Sequence, residues 1–140
     1  MASINPYLNF PGTTEEAFKF YKSVFGGEFS MFQRFGDTPA GDGLSADDKQ
    51  KVMHVSLPIS NGYSLMATDA VESMGHPLTV GNNFYIAISP DSKEEATRLF
   101  KGLSAGGKVE MDLQDTFWGA YYGSFKDKFG IGWMVNYMKR

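Results

Sequence analysis

Few side chains in this sequence could handle a proton or hold a metal ion, and His54 is the foremost of them. It lies in the segment VMHVSLPIS, where apolar and polar residues alternate, so a strand would place His54 and Ser56 on the same face. Histidine titrates near neutral pH and can act as a general acid or base. We predict that His54 handles a proton in a site. The alternative is a histidine that is only hydrogen-bonded within a sheet.

Two carboxylates lie in a second alternating segment, KVEMDLQD. A strand would place Glu110, Asp112 and Gln114 on one face, opposite the apolar residues between them. With His54, these carboxylates could form a general-base site or a metal site of unusual composition, and Asp69 is a further candidate ligand. The alternative is that Glu110 and Asp112 are solvated.

The C-terminal segment, residues 114–140, contains both tryptophans of the chain among strand-forming residues. Alternation places Trp118 and Tyr122 on one face of a strand, and Met134 and Asn136 on one face of the next. Aromatic residues on both faces of an antiparallel strand indicate that both faces are covered. We predict that these four residues and Met66 line a pocket for a small organic molecule. A packed core or a dimer surface is the alternative.

Composition excludes several classes of function. The net charge is −3, with no cluster of basic residues, which argues against nucleic acid as a partner. The sequence has no cysteine, so disulfides, thiolate catalysis and cysteine-ligated metals are excluded. No apolar run approaches the length of a membrane span, and the N-terminal residues do not resemble a secretory signal. We therefore expect a cytoplasmic protein without a membrane partner.

The chain repeats a pattern. Residues 5–29 and 83–109 each contain a short apolar strand, a turn and an amphipathic helix that ends at a glycine pair. Thr13 precedes Glu16 by three residues and Ser92 precedes Glu95 by three, which is the signature of a capping box. These two signatures lie 79 residues apart, since 92 − 13 = 79. Such a spacing predicts two copies of one structural module.

Each predicted helix is followed by segments with the two-residue period of strands. We predict strands near 27–35, 52–60 and 63–68 in the first copy and near 108–114, 118–125 and 131–138 in the second. Asn61-Gly62 predicts a tight hairpin between two of them. Residues 36–50 are predicted to be a polar loop.

The resulting fold class is α+β, with the order βαβββ occurring twice. One helix cannot cover both faces of a four-stranded sheet, so we expect the two modules to form a curved, cup-shaped mixed sheet with the helices outside. The chain would be a single domain, residues 1–140, made of modules 1–68 and 82–140 with a linker at 69–81.

Three segments carry a resemblance to a known family: PYLNFPGTTEEAFKFY, MHVSLPISNGYSLMATDA and GGKVEMDLQDTFWGAYYGSFKDKFGIGWMVN. They resemble the PhnB-like branch of the vicinal oxygen chelate superfamily, a bacterial group also labelled 3-demethylubiquinone methyltransferase-like. The resemblance implies the glyoxalase/bleomycin resistance fold, a pocket within the cup and a homodimer.

Catalytic relatives in this superfamily hold a divalent metal ion with histidine, glutamine and glutamate side chains. The resemblance places those ligand positions at Pro6, Met66, Phe84 and Met134, none of which offers a ligand that suits a hard divalent cation. We therefore predict no cofactor and metal-independent binding of a small organic molecule. The alternative is a metal-dependent enzyme of the lyase, isomerase or oxygenase type that uses non-standard ligands among His54, Asp69, Glu110 and Asp112.

Overall fold

The computed structural model describes residues 2–60 and 62–138. The chain divides into two compact units, Met1–Thr79 and Val80–Arg140. Each unit contains one four-stranded mixed sheet and one 12-residue helix. The prediction of an α+β fold built from two βαβββ modules is confirmed.

The first unit runs in the predicted βαβββ order. Its main elements are β1 (Tyr7–Phe10), α1 (Thr14–Phe25), β2 (Met31–Arg34), β3 (Val52–Ser60) and β4 (Tyr63–Asp69). The strands lie in the order β1-β4-β3-β2, with β1 parallel to β4 and the other neighbours antiparallel. Between β2 and β3 lies the short helix α2 (Ala46–Lys49), preceded by two single 3-10 turns. The segment 36–50, predicted to be a loop, is thus partly helical, because Ser45 caps α2 by accepting a bond from the amide of Asp48.

The second unit repeats this order. Its elements are β5 (Ile86–Ile88), α3 (Lys93–Ser104), β6 (Lys108–Asp115), β7 (Ala120–Lys126) and β8 (Gly132–Met138). The strands lie in the order β5-β8-β7-β6, with β5 parallel to β8. α1 and α3 begin 79 residues apart, since 93 − 14 = 79, as the repeat predicts.

Each long helix covers one face of its own sheet. In α3 the stripe Ala96, Leu99, Phe100 and Leu103 is buried, and the helix contacts β6, β7 and β8. Burying a leucine or phenylalanine side chain contributes about 1.5–3 kcal/mol, so this stripe holds the helix on the sheet. In the part of the chain that the structure describes, no helix of the same unit covers the other face of either sheet.

The two helices begin differently, which partly corrects the capping prediction. Ser92 accepts a hydrogen bond from the amide of Glu95 at 3.0 Å, as predicted. Thr13 makes no side-chain cap bond. Instead, Asp69 at the end of β4 accepts bonds from the amide and the hydroxyl of Thr14, at 3.0 and 2.6 Å. A distant carboxylate therefore replaces the local cap of α1, which neighbouring residues could not reveal.

Two predicted strands are shorter than expected. The strand predicted at 27–35 spans only Met31–Arg34, because Gly26 and Gly27 both have φ near +82° and turn the chain away from the helix. The strand predicted at 118–125 begins at Ala120, because residues 116–119 form a turn closed by the Gly119 amide on the Thr116 carbonyl. The predicted Asn61-Gly62 hairpin lies partly outside the described residues, since Asn61 is not described. No helix in the described part of the chain could cross a membrane.

Candidate functional site

The side of the second sheet away from α3 carries most of the predicted pocket residues. In β7 and β8, Phe125, Trp133 and Val135 are buried on the side of the sheet that α3 covers. The opposite side carries two cross-strand pairs, Tyr122 with Asn136 and Ser124 with Met134. We call the surface formed by Tyr85, Glu110, Tyr122, Ser124, Met134 and Asn136 the open face of the second unit.

A hydrogen bond spans this open face. Tyr85, just before β5, donates its hydroxyl to Oε1 of Glu110 in β6 at 2.6 Å. β5 and β6 are the two edges of the sheet, so the tyrosine side chain extends over the strands between them. Its ring passes directly above Gly132, where an added Cβ would approach ring carbons to 2.9 and 3.0 Å. The hydrogen bond to Glu110 raises the pKa of Tyr85, with smaller contributions from burial and from the charges of Glu110 and Tyr122.

Tyr122 contacts two other predicted pocket residues. Its hydroxyl is 3.9 Å from the sulfur of Met134, and its ring meets that of Trp118 edge to face at 6.0 Å. Trp118 lies in the turn before β7 and is half exposed, so its position depends on the turn and not on strand alternation. These contacts bring three of the predicted pocket residues together: Trp118, Tyr122 and Met134.

Asn136 borders a cavity at one end of the open face. The cavity has a volume of about 480 Å³ and is lined by Ser89, Pro90, Asp91, Asn136, Tyr137 and Met138. The side-chain oxygen Oδ1 of Asn136 is buried and accepts no hydrogen bond from the described residues. A buried acceptor without a partner costs about 1–3 kcal/mol, so a donor that reached this oxygen would be stabilised.

The first unit has a related arrangement around His54. The hydroxyl of Tyr7 lies 3.1 Å from Nδ1 of His54, and the two rings stack at 5.7 Å between centroids. Tyr7 pairs with Met66, and Met66 pairs with Ser56, so these residues share the side of the sheet away from α1. Burial raises the pKa of Tyr7. We call Tyr7, His54, Ser56 and Met66 the open face of the first unit.

The two open faces repeat one row of residues. In the first sheet Met66, Ser56 and Met31 are cross-strand neighbours, and in the second the corresponding row is Met134, Ser124 and Met111. On the parallel edges, Met66 pairs with Tyr7 and Met134 with Ala87. Pro6 and Phe84 lie just before the strands β1 and β5.

The donor chemistry of these rows does not fit a hard divalent metal ion. Met66, Met134, Ser56 and Ser124 offer thioethers and neutral hydroxyls, whereas magnesium, manganese or iron sites are built from carboxylates and imidazoles. Among residues 2–60 and 62–138, no three His, Asp or Glu side chains converge on one point.

The remaining candidate ligands have other surroundings. Asp69 is buried and accepts three hydrogen bonds, from the amide and hydroxyl of Thr14 and from the amide of Val52 at 2.8 Å. Asp112 is exposed on β6. The predicted alternation of β6 is wrong at Met111, which pairs with Ser124 because the register shifts twice along this strand.

Sequence reasoning missed two tyrosines and one aspartate. Tyr7 and Tyr85 are not among the predicted site residues, although each bonds a titratable residue of its own sheet. Asp127 is buried and accepts bonds from the amides of Phe129 and Ile131 and from Trp133 Nε1 at 2.8 Å. The available signal was an aspartate five residues before the start of β8, where it holds the turn that leads into that strand.

Comparisons with known proteins agree with this architecture. The family model of the Glyoxalase/Bleomycin resistance protein/Dioxygenase superfamily matches residues 3–135. The Escherichia coli (strain K12) protein YjdN is 32% identical over 145 residues, covering 98% of this chain and 96% of YjdN.

Two solved structures are similar along their whole length. The crystal structure of protein PA1353 from Pseudomonas aeruginosa has a TM-score of 0.87 and 40% identity, with 100% of both chains covered. The PhnB protein from Bacillus cereus has a TM-score of 0.77 and 25% identity, covering 97% of this chain and 99% of that protein. The resemblance predicted from the sequence is confirmed.

Proposed function

Because this chain belongs to the Glyoxalase/Bleomycin resistance protein/Dioxygenase superfamily, we propose that it binds a small organic molecule on the open face of its second unit, without a divalent metal ion. The observation that carries the proposal is the Tyr85–Glu110 hydrogen bond, which holds a phenol and a carboxylate over the side of the sheet away from α3.

The side chains around this bond suit a ligand with an apolar or aromatic body. Tyr122 and Trp118 offer ring surfaces, and Met134 offers a polarisable thioether that adapts its shape to a neighbour. Glu110 accepts hydrogen bonds and the Tyr85 hydroxyl can turn toward a ligand. A mostly apolar surface with a few convergent polar groups is typical of small-molecule sites.

In the first unit, we propose that His54 is the proton-handling group and that Met66 belongs to its binding surface. Tyr7 supports this role because its ring and hydroxyl fix the orientation of the imidazole. Asp69 and Asp112 are left out of the proposed site. Asp69 already holds the start of α1, and Asp112 lies exposed on an edge strand.

Heat-shift screening followed by calorimetric titration tests the binding proposal. A panel of small aromatic and polyol metabolites is screened in chelator, and at least one compound is expected to stabilise the protein saturably. Tyr122→Leu should lower the affinity for that compound at least about tenfold, which is the loss expected for one aromatic contact and its buried area. Tyr63→Leu is the matched control, since Tyr63 is an exposed tyrosine at the start of β4. Equal losses for both variants, or no stabilising compound, would refute the proposal.

We also propose that the protein forms a homodimer. β6 is an edge strand of eight residues, seven of them exposed, with Val109 and Met111 each 41% exposed. Long uncovered edge strands readily pair with another chain. Sedimentation equilibrium should give twice the chain mass of 15.5 kDa, and a single-chain mass across the micromolar range would contradict this.

A further inference from the structure

The cavity between the end of β8 and the loop that leads into α3 has no assigned ligand. We propose that it binds the ammonium group of a small organic amine. The inference rests on the proposed function in one respect, since Asn136 belongs both to the open face and to the wall of this cavity. The proposal thereby names a chemical class for part of the ligand.

The residues that line the cavity include several acceptors. Oδ1 of Asn136 is buried and has no partner among the described residues, and the Asp91 side chain adds a negative charge. The hydroxyl of Ser89 can accept as well as donate. None of the six lining residues is a lysine or arginine. An ammonium group carries up to three donors and a positive charge, and therefore complements this set.

The cavity lies beside the start of α3, and the start of a helix normally favours an anion. Two backbone amides at this end already donate to side chains. The Asp91 amide donates to Oε1 of Glu95, and the Glu95 amide donates to Oγ of Ser92. The first turn also contains the acidic residues Glu94 and Glu95. These two carboxylates and the Asp91 side chain make the surroundings of the cavity less favourable to a phosphate or carboxylate.

The size and the remaining walls favour an organic cation over a bare ion. A volume of about 480 Å³ is many times that of a water molecule and lies in the range of small-molecule sites. Pro90, Tyr137 and Met138 contribute apolar surface beside the acceptors. An alkyl or aromatic body attached to the ammonium group would lie against these residues.

The test compares three probes of similar size: n-butylammonium, n-butanol and butanoate, each titrated against the full chain and followed by amide chemical shifts. Butylammonium should shift the amides of Ser89, Asp91 and Asn136 saturably and bind at least about tenfold more tightly than butanol. Butanoate should bind no more tightly than butanol. No saturable shift with butylammonium, or binding of butanol or butanoate that equals it, would overturn the inference.

The variant Asp91→Asn tests whether the negative charge of Asp91 contributes to the binding of the amine. It should reduce butylammonium affinity about tenfold, while Glu72→Gln, which removes one exposed negative charge from the first unit, should leave the affinity unchanged. Equal effects of the two variants would mean that net charge alone attracts the amine, and would overturn the assignment. Asn136→Leu, which removes the unpartnered oxygen, should also weaken the binding of butylammonium, whereas the control Glu72→Gln should not.

These probes separate the inference from the proposed function. If a neutral aromatic compound binds and is sensitive to Tyr122→Leu, but butylammonium does not bind, only the amine assignment fails. If butylammonium binds in an Asp91-dependent way and no aromatic compound does, the cavity site stands while the aromatic open-face proposal fails.

Discussion

The hydroxyl of Tyr85 donates a 2.6 Å hydrogen bond to Oε1 of Glu110, and this bond joins the two edges of one four-stranded sheet. An ionised carboxylate that accepts from a phenol stabilises the protonated phenol, so the pKa of Tyr85 is raised. The pair thus supplies a directly measurable property of the proposed site.

Replacing the carboxylate should change the titration of this tyrosine. Glu110→Gln removes the negative charge, so we expect the pKa of Tyr85 to fall toward its ordinary value of about 10. The measurement is an alkaline titration of the protein with carbon-13-labelled tyrosine rings, followed by NMR. Glu94→Gln, on the exposed start of α3, is the matched control and should leave Tyr85 unchanged.

The same shift predicts a dependence of stability on pH. The pKa of Tyr85 is raised in the folded protein, so its contribution to stability is fully present below the unfolded value of about 10. That contribution is lost as the pH rises through the raised folded pKa. The difference in unfolding free energy between wild type and Glu110→Gln should therefore shrink above about pH 10. A constant difference from pH 7 to 11 would contradict this.

The position of the Tyr85 ring depends on a glycine. A Cβ at residue 132 would lie 2.9 Å from Cδ2 of Tyr85, which forces the ring to move away from the sheet. Gly132→Ala should lengthen or break the bond to Glu110 and lower the pKa of Tyr85, as Glu110→Gln does. Gly81→Ala is the control, because nothing lies within 4 Å of its added Cβ. An unchanged Tyr85 titration in Gly132→Ala would show that the ring is held in another way.

Asp69 is predicted to be essential for stability. Its replacement by alanine leaves the amides of Thr14 and Val52 and the hydroxyl of Thr14 without their acceptor in a buried region. We expect a loss of about 2–4 kcal/mol in unfolding free energy, measured by urea denaturation. Asp69→Asn should lose less, since it keeps one acceptor oxygen. Asp42→Ala, at an exposed aspartate, should be nearly neutral.

The ion pair between Glu15 and Arg34 should contribute less to the unfolding free energy than Asp69 does, and its contribution should be lost at acid pH. Both guanidinium nitrogens contact the carboxylate, at 3.1 and 2.9 Å, and the bond to Arg34 is the main cause of the lowered pKa of Glu15. Both side chains are about one-third exposed, so Arg34→Met should cost no more than about 1 kcal/mol at neutral pH for this pair. The pair's contribution is present above about pH 4.3 and is lost as the pH falls through the lowered pKa of Glu15.

Much of the fold could be predicted from the sequence because its signals are local. Hydrophobic periodicity gives the helices and strands, and a spacing of 79 residues gives the duplication. The faces of β8 also follow from alternation, since Trp133 and Val135 are buried while Met138 is exposed. Where the alternation is broken by a bulge, as near Met111, the sequence carries no comparable signal.

The candidate site was less predictable because its key contacts join distant residues. Tyr85 and Glu110 are 25 residues apart, and Tyr7 and His54 are 47 apart. Whether a tyrosine reaches across a sheet depends on the strand order and on a glycine beneath its ring. Similarly, Asp69 is an ordinary strand-end aspartate until the fold brings it to the start of α1.

Amide chemical-shift mapping of the chelator-treated protein with the compound panel tests whether the open face of the second unit binds an organic molecule without a metal ion. We expect at least one organic compound to produce saturable shifts centred on Tyr122 and Asn136, with the same affinity in chelator and in added manganese or zinc. Binding that appears only after a divalent metal ion is added, with shifts centred away from this open face, would contradict it.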